Sequence, residues 1–196
     1  MAIDQARRGW VLAMAACAGL SWGTMAFAQQ GDVVIAGVYA STGPLESYGR
    51  SVERGLLLGL EYATKGTMEV DGRKIRVVRK DTQSRPDRAK VLLAEAYNDD
   101  NAIAAVSGGG TGEGIAMIPV ALSSRRILMF ASPTAASITG ALYNRYIFRT
   151  MFNSYQLAIA NAIAVAGPGT SIAVLAQDNA YAREINAPFK KEVERL

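Results

Sequence analysis

The sequence predicts an α/β fold in which a parallel β-sheet carries helices on both faces and is followed by the start of a second, similar unit. Short apolar runs rich in β-branched residues alternate along the chain with longer segments of helical periodicity, and this alternation is typical of a parallel sheet. Half of the 196 residues are hydrophobic and 19% are charged, so the chain can bury a core.

The first 28 residues have the pattern of a cleaved secretory signal. Arg7 and Arg8 precede the apolar run Trp10–Leu20, and small residues follow at Ala26 and Ala28. Charge, apolar core and small-residue cleavage site in that order are typical of an export signal. A transmembrane anchor is the alternative, but the apolar core is shorter than the ~20 residues that a bilayer requires. We therefore expect cleavage after Ala28 and export to the periplasm.

The predicted first unit, residues 29–149, alternates strands and helices. Val33–Tyr39 is apolar and β-branched, which indicates a buried strand. Apolar residues at helical spacing predict a helix over Gly49–Thr64. An N-cap at Ser84, with Pro86 and Asp87 in the first turn, opens a second helix. The other predicted elements are strands over Lys74–Arg79, Ala102–Val106, Ile127–Ala131 and Tyr146–Thr150, a helix over Ile115–Ser123 and a helical turn near Ile138.

A second alternating unit is predicted over residues 150–196, with the boundary near Arg149–Ser154. Tyr155–Ala166 has a helical pattern that ends at a Gly-Pro-Gly sequence. Ser171–Ala176 is then predicted as a strand, and Ala180–Arg195 as a helix.

Composition excludes several kinds of function. Histidine is absent and Cys17 is the only cysteine, which excludes His-containing triads, HExxH zinc sites and CxxC redox pairs. The net charge of +4 comes from basic residues scattered among acidic ones, whereas nucleic-acid-binding proteins cluster Lys and Arg on one face. We therefore expect no metal, no cofactor and no nucleic-acid partner. A catalyst could still be built from Lys, Asp, Glu, Tyr and Ser, but the common catalytic combinations are missing, so we expect no catalysis. Lipid attachment at Cys17 is the less favoured alternative to cleavage after Ala28.

A glycine-rich loop, Gly108–Gly114, joins a predicted strand to a predicted helix. Backbone N–H groups and the helix dipole make such a loop an anion site. A dinucleotide fingerprint would need glycine at its sixth position, which is Glu113 here, and the GK[ST] of a P-loop is missing. A small carboxylate is the favoured ligand, and a tight turn without a ligand is the alternative. Glu113 is expected to face solvent, because an inward carboxylate would oppose an anion.

Two further features follow strand ends, where ligands gather in open α/β sheets. The loop Ser132-Pro133-Thr134 follows one strand, while Tyr48 and Tyr181 follow two others. Small polar loops are often simple turns, and rim tyrosines often only pack, so those interpretations stay open. The sequence nevertheless predicts that Thr111, Ser132 and Tyr181 border one hollow.

Four segments resemble leucine/isoleucine/valine-binding proteins of the type I periplasmic solute-binding class. They are VVIAGVYASTGPLESYG at residues 33–49, ILMFASPTAASIT at 127–139, YIFRT at 146–150 and AVLAQDNAY at 173–181. The resemblance implies two Rossmann-like lobes that close on a small ligand and deliver it to an inner-membrane ABC permease. It also implies a second lobe completed beyond Leu196.

The resemblance assigns roles to residues of this sequence. It places Tyr48 beside the ligand, Thr111 and Gly112 on its carboxylate, and a second-lobe tyrosine at Tyr181. It also places Ser132, Pro133 and Thr134 against carboxylate and ammonium.

Gly112 stands where the family commonly has serine, and Ala182-Arg183 replaces a frequent glycine. Branched-chain amino acids, amides and aromatic carboxylates therefore remain open as ligands. A ligand-sensing domain of the same fold and a nucleotide-dependent Rossmann-type enzyme are the alternative functions.

Overall fold

A single sheet organises the computed structural model, which describes residues 31–196. The strands are β1 (Val33–Tyr39), β2 (Glu69–Val70), β3 (Arg73–Asp81), β4 (Ala104–Gly108), β5 (Ile127–Phe130) and β6 (Ile147–Arg149). Their order in the sheet is β2-β3-β1-β4-β5-β6. Every neighbouring pair is parallel except β2 and β3. The predicted leader, residues 1–28, lies outside the described residues.

Helices cover both faces of this sheet, as the sequence predicts. They are α1 (Glu46–Ala63), α2 (Pro86–Asn98), α3 (Thr111–Ser124), α4 (Ser154–Val165) and α5 (Ala180–Arg195), and a 3-10 turn spans Ala136–Thr139. Successive side chains of a strand point to opposite faces. Val38 of β1 therefore packs in the core with Leu93 of α2 and Met117 of α3, whereas Tyr39 points the other way, toward Glu53 of α1.

The core lies mainly between the sheet and the helices α2 and α3. Its largest fully buried members there include Tyr97, Leu93, Met117, Leu128 and Phe130. Tyr97 keeps its polar end satisfied, because its hydroxyl donates to the carbonyl oxygen of Ile127 over 2.8 Å. Burying such apolar side chains is the main stabilising contribution to a fold of this kind.

The structure confirms most of the predicted elements and corrects three details. The strand predicted at Ser171–Ala176 is wrong: no strand pairs with this segment within residues 31–196, and Leu175 is fully exposed. A β-branched run forms a strand only where another strand hydrogen-bonds to it. The second correction is the two-residue strand β2, which pairs antiparallel with β3. It was not predicted, because two residues are too few to show any periodicity.

The third correction concerns the start of α2. Ser84 is not its N-cap: the position before the helix is Arg85, and its side chain makes no capping hydrogen bond. The Ser84 hydroxyl instead accepts a hydrogen bond from the Leu45 backbone N–H over 3.1 Å. It therefore joins the start of α1 to the loop before α2. Within residues 31–196, no helix combines the length and apolarity needed to cross a membrane.

Candidate functional site

The carboxyl ends of β1, β4 and β5 lie side by side, and this brings their loops together. In the sheet register Tyr39 is opposite Gly108, and Ser107 is opposite Phe130. The loops after the three strands therefore leave the same edge of the sheet. Open α/β sheets bind ligands at this edge.

These loops border a cavity of about 860 Å³, within the size range of small-molecule sites. Leu45, just before α1, and Tyr48 of α1 border it, and the glycine loop borders it at the start of α3. Tyr181 and Arg183 reach it from α5, together with Phe152 from the segment after β6. Aromatic and apolar side chains thus share the lining with a similar number of polar side chains, the combination that ligand pockets use for binding and orientation.

Six of the seven site residues predicted from the sequence line this cavity. They are Tyr48, Thr111, Gly112, Ser132, Thr134 and Tyr181. Pro133 does not line it: its side chain is fully buried beneath the loop, close to where a side chain on Gly114 would lie. The predicted hollow shared by Thr111, Ser132 and Tyr181 is therefore present, while their contact with a ligand stays a prediction.

The second site loop is fastened to the glycine loop and to the chain after β6. The Ser132 hydroxyl donates to the carbonyl oxygen of Gly109 over 2.8 Å. The carbonyl oxygen of Thr134 accepts from the Ser154 N–H at 2.7 Å and from Arg149 Nη1 at 3.1 Å. Arg149 Nη1 also donates to the carbonyl oxygen of Ala135 at 2.7 Å. The crossing into α4 therefore holds this loop in place.

Asp81, at the end of β3, holds the loop that leads from β1 to Tyr48. Its Oδ1 accepts from the N–H groups of Ser41 at 2.9 Å and Gln83 at 3.0 Å, and its Oδ2 accepts from the Thr42 hydroxyl at 2.7 Å. Burial raises the pKa of Asp81, but these hydrogen bonds outweigh that effect and hold the pKa below its ordinary value of 3.8.

We expect Asp81→Asn to destabilise the protein by about 1–2 kcal/mol at pH 7, because hydrogen bonds to a charged acceptor are lost. A carboxyl group with a lowered folded-state pKa stabilises the fold above its unfolded-state pKa, and this contribution disappears as the pH falls through the folded-state value. The difference between wild type and variant should therefore shrink below about pH 3.8. Urea unfolding of both proteins at pH 7 and pH 3 measures this difference in stability. An equal difference at the two pH values would contradict a stabilising role of the ionised Asp81 carboxylate.

The sequence-based expectation that the Glu113 side chain faces solvent is wrong. The residue is only 2% exposed, and its carboxylate turns inward beneath the glycine loop. One oxygen accepts from the buried Thr82 hydroxyl, and the other accepts from the Gly110 N–H over 2.7 Å. The first turn of a helix favours a carboxylate, because its N–H groups carry partial positive charge.

Several lining residues were not identified from the sequence. They are Leu45, Ser51, Val52, Ser84, Pro86, Met151, Phe152, Gln177, Asn179 and Arg183. The rule that ligands gather at strand ends would have found Met151 and Phe152, which lie just beyond β6 and Thr150. Asn179 was detectable as the N-cap of α5, where it accepts from the Ala182 N–H at 2.9 Å. In the described part of the chain, no group of His, Cys, Asp and Glu residues has a metal-binding arrangement.

A parallel sheet with an aromatic-lined hollow at the carboxyl ends of its strands defines a ligand-binding α/β lobe. Residues 32–196 match the family described as periplasmic binding protein, and the chain belongs to that family. The resemblance to type I periplasmic binding proteins is thereby confirmed. No curated protein sequence matches the chain at a significant level.

Solved structures show the same fold. An ABC-type branched-chain amino acid transporter from Rhodopseudomonas palustris is 50% identical, with a TM-score of 0.69 over 84% of this chain and 44% of that one. An ABC transporter from the same species is 49% identical, with a TM-score of 0.56 over 82% of this chain and 46% of that one.

A third structure contains a bound ligand. It is a solute-binding protein of an ABC transporter from Rhodopseudomonas palustris in complex with 3,4-dihydroxybenzoic acid. This protein is 25% identical, with a TM-score of 0.74 over 84% of this chain and 44% of that one. The chain thus spans less than half the length of each of these relatives.

Proposed function

We propose that the protein is the substrate-binding subunit of an ABC importer and captures a small polar ligand between two lobes. The ligand classes are branched-chain amino acids and related carboxylates, amides and aromatic acids. One observation carries the proposal: Tyr48, Ser132 and Tyr181, from three separate segments, line a single cavity in a chain of the periplasmic binding protein family. Residues 29–149 form the first lobe in this proposal, and residues 150–196 begin the second.

Capture replaces the water around the ligand with fixed protein groups. The first N–H groups of α3 have no acceptor within the helix and point toward the loop. Tyr48 of α1 and Tyr181 of α5 both line the cavity, where their aromatic rings can stack on an apolar ligand body. Closure of the lobes would then add contacts from the second lobe and exclude water.

Location and partner follow from the same proposal. The leader at residues 1–28 would direct the chain to the periplasm, and an inner-membrane ABC permease would receive the ligand. The relative that is 50% identical is described as a branched-chain amino acid transporter, and the one that is 25% identical binds 3,4-dihydroxybenzoic acid. Both support the proposed ligand classes. The protein acts by binding and release, without catalysis.

Thermal unfolding of the purified protein with a panel of compounds tests this proposal. The panel contains branched-chain amino acids, their amides, benzoates and benzamides. A compound that binds the cavity should stabilise the fold by about 2.7 kcal/mol at a hundred times its Kd. Tyr181→Ala should reduce that stabilisation, whereas Tyr62→Ala, at an 87% exposed position of α1, should not. A folded protein that no compound of the panel stabilises would overturn the proposal.

A further inference from the structure

The carboxylate of Glu113 is built into the floor of the glycine loop. It lines the cavity and accepts hydrogen bonds from Thr82 and from the Gly110 N–H. The loop also closes tightly over it: a Cβ atom on Gly109 would lie only 2.5 Å from Glu113 Oε2. A side chain at position 109 would therefore displace the carboxylate from this place. This arrangement holds the carboxylate at the point where the loop borders the cavity.

A fixed negative charge changes what the glycine loop can bind. Glu113 lies in the first turn of α3, so its charge offsets the partial positive charge of the helix N-terminus. A ligand carboxylate on the N–H groups of Thr111 and Gly112 would also meet a like charge at close range, which disfavours the ionised form. A phosphate group would meet the same repulsion, which argues against the nucleotide-dependent alternative.

The hydrogen-bonding groups at the loop point to the same conclusion. The Ser132 hydroxyl donates its hydrogen bond to the Gly109 carbonyl oxygen, so toward a ligand its oxygen can only accept one. The first N–H groups of α3 remain as donors. A neutral carboxamide has both a carbonyl acceptor and N–H donors, whereas a carboxylate only accepts. The loop therefore complements an uncharged amide better than an anion.

We propose, on the basis of the proposed function, that Glu113 is a specificity-determining residue that excludes an anionic group from the glycine loop. The ligand places a neutral group of the carboxamide type against Thr111, Gly112 and Ser132. The resemblance implied that Thr111 and Gly112 hold a carboxylate, and this inference replaces that assignment. A carboxylate elsewhere on the ligand is compatible with it.

Matched acid and amide pairs measure this preference. Leucine with leucinamide, and benzoate with benzamide, are titrated calorimetrically into the wild-type protein and into Glu113→Gln. Glutamine has nearly the same shape and keeps one oxygen for the Gly110 N–H, while its amide can donate to the Thr82 hydroxyl. The substitution therefore removes the charge without opening a cavity. Glu61→Gln, at an exposed position of α1, is the control for the change in net charge.

The expected result is that the wild type binds at least one amide more tightly than its matched acid. In Glu113→Gln the Kd ratio should move toward the acid by about tenfold, as expected when a close like charge is removed. The Glu61→Gln ratio should equal that of the wild type. An unchanged ratio in a folded Glu113→Gln variant would overturn the inference, and so would wild-type preference for both acids.

Failure of all four compounds to bind would also overturn the inference. The proposed function would survive that result if another compound of the thermal panel stabilised the protein. If no compound of the panel stabilised the protein, both the inference about Glu113 and the proposed function would be overturned.

Discussion

Replacing Gly49 with alanine is expected to destabilise the protein by about 3 kcal/mol, the upper end of typical overpacking costs. Gly49 is the one buried residue of α1, and the helix there lies directly against the backbone of Ala40, the residue after β1. An added Cβ atom would overlap the carbonyl oxygen of Ala40 and lie 2.5 Å from its carbonyl carbon. Because the obstacle is backbone, no side-chain rotation relieves it. The helix must shift away from the sheet and carry Tyr48 with it.

Chemical denaturation measures this effect, and the same helix provides the control. Gly55 and Gly59 also lie in α1, but an added Cβ atom would meet nothing within 4 Å at either position. Gly55→Ala should stabilise the protein by about 0.5–1 kcal/mol, since alanine loses less backbone freedom on folding than glycine. Equal effects of Gly49→Ala and Gly55→Ala would show that helix propensity, not contact with Ala40, governs position 49.

Replacing Arg149 with alanine is expected to loosen the loop that carries Ser132 and Thr134. The guanidinium donates to the carbonyl oxygens of Thr134 and Ala135 and to the Thr139 hydroxyl. Removing these donors should cost about 1–3 kcal/mol of stability, because polar groups that are partly buried lose their partners. Ligand affinity should fall by about tenfold, or ~1.4 kcal/mol, although Arg149 does not line the cavity. Denaturant unfolding and calorimetric titration measure the two effects.

Two further variants separate positioning of the loop from general loss of an arginine. Arg149→Lys keeps a charged donor and should recover part of the affinity. Arg76→Ala removes an arginine whose ion pair with Asp32 spans 3.8 Å between half-exposed side chains, and such pairs contribute about 0–1 kcal/mol. Wild-type affinity in Arg149→Ala would contradict the positioning role, whatever its stability.

Two elements could be predicted from the sequence with the bounds that the structure shows. The run Val33–Tyr39 matches β1 at both ends, and Ala180–Arg195 matches α5. β1 is a continuous apolar run that is buried along almost its whole length, whereas α5 buries only Ala182. The antiparallel strand β2 escaped detection because two residues carry no periodicity. The segment Ser171–Ala176 has the pattern of a strand, but no strand within residues 31–196 pairs with it.

The sequence predicted where the candidate site lies, but it did not predict which charged group the site contains. Tyr181 lines the cavity, although it lies in α5 and the strand predicted before it does not form. The rule that loops at strand ends converge placed Thr111 and Ser132 together correctly. It could not show that Glu113 turns inward, because the direction of that side chain depends on the Thr82 hydroxyl, which comes from a distant part of the chain. Ser84 was misassigned for a similar reason. Its partner, Leu45, is 39 residues away in sequence, and only the folded structure brings the two together.

Cysteine protection tests the central claim that three separate segments share one ligand site. Cys17 is the only natural cysteine, so single cysteines at Tyr48, Ser132 and Tyr181 can be followed by alkylation rate in a Cys17→Ser background. A cysteine at Tyr62, 87% exposed and about 21 Å along α1 from Tyr48, serves as the reference. A compound that stabilises the protein is added at about ten times its Kd. Alkylation at all three cavity positions should slow by about tenfold, while the rate at position 62 stays unchanged. Protection at only one of the three, or equal slowing at position 62, would contradict a shared site.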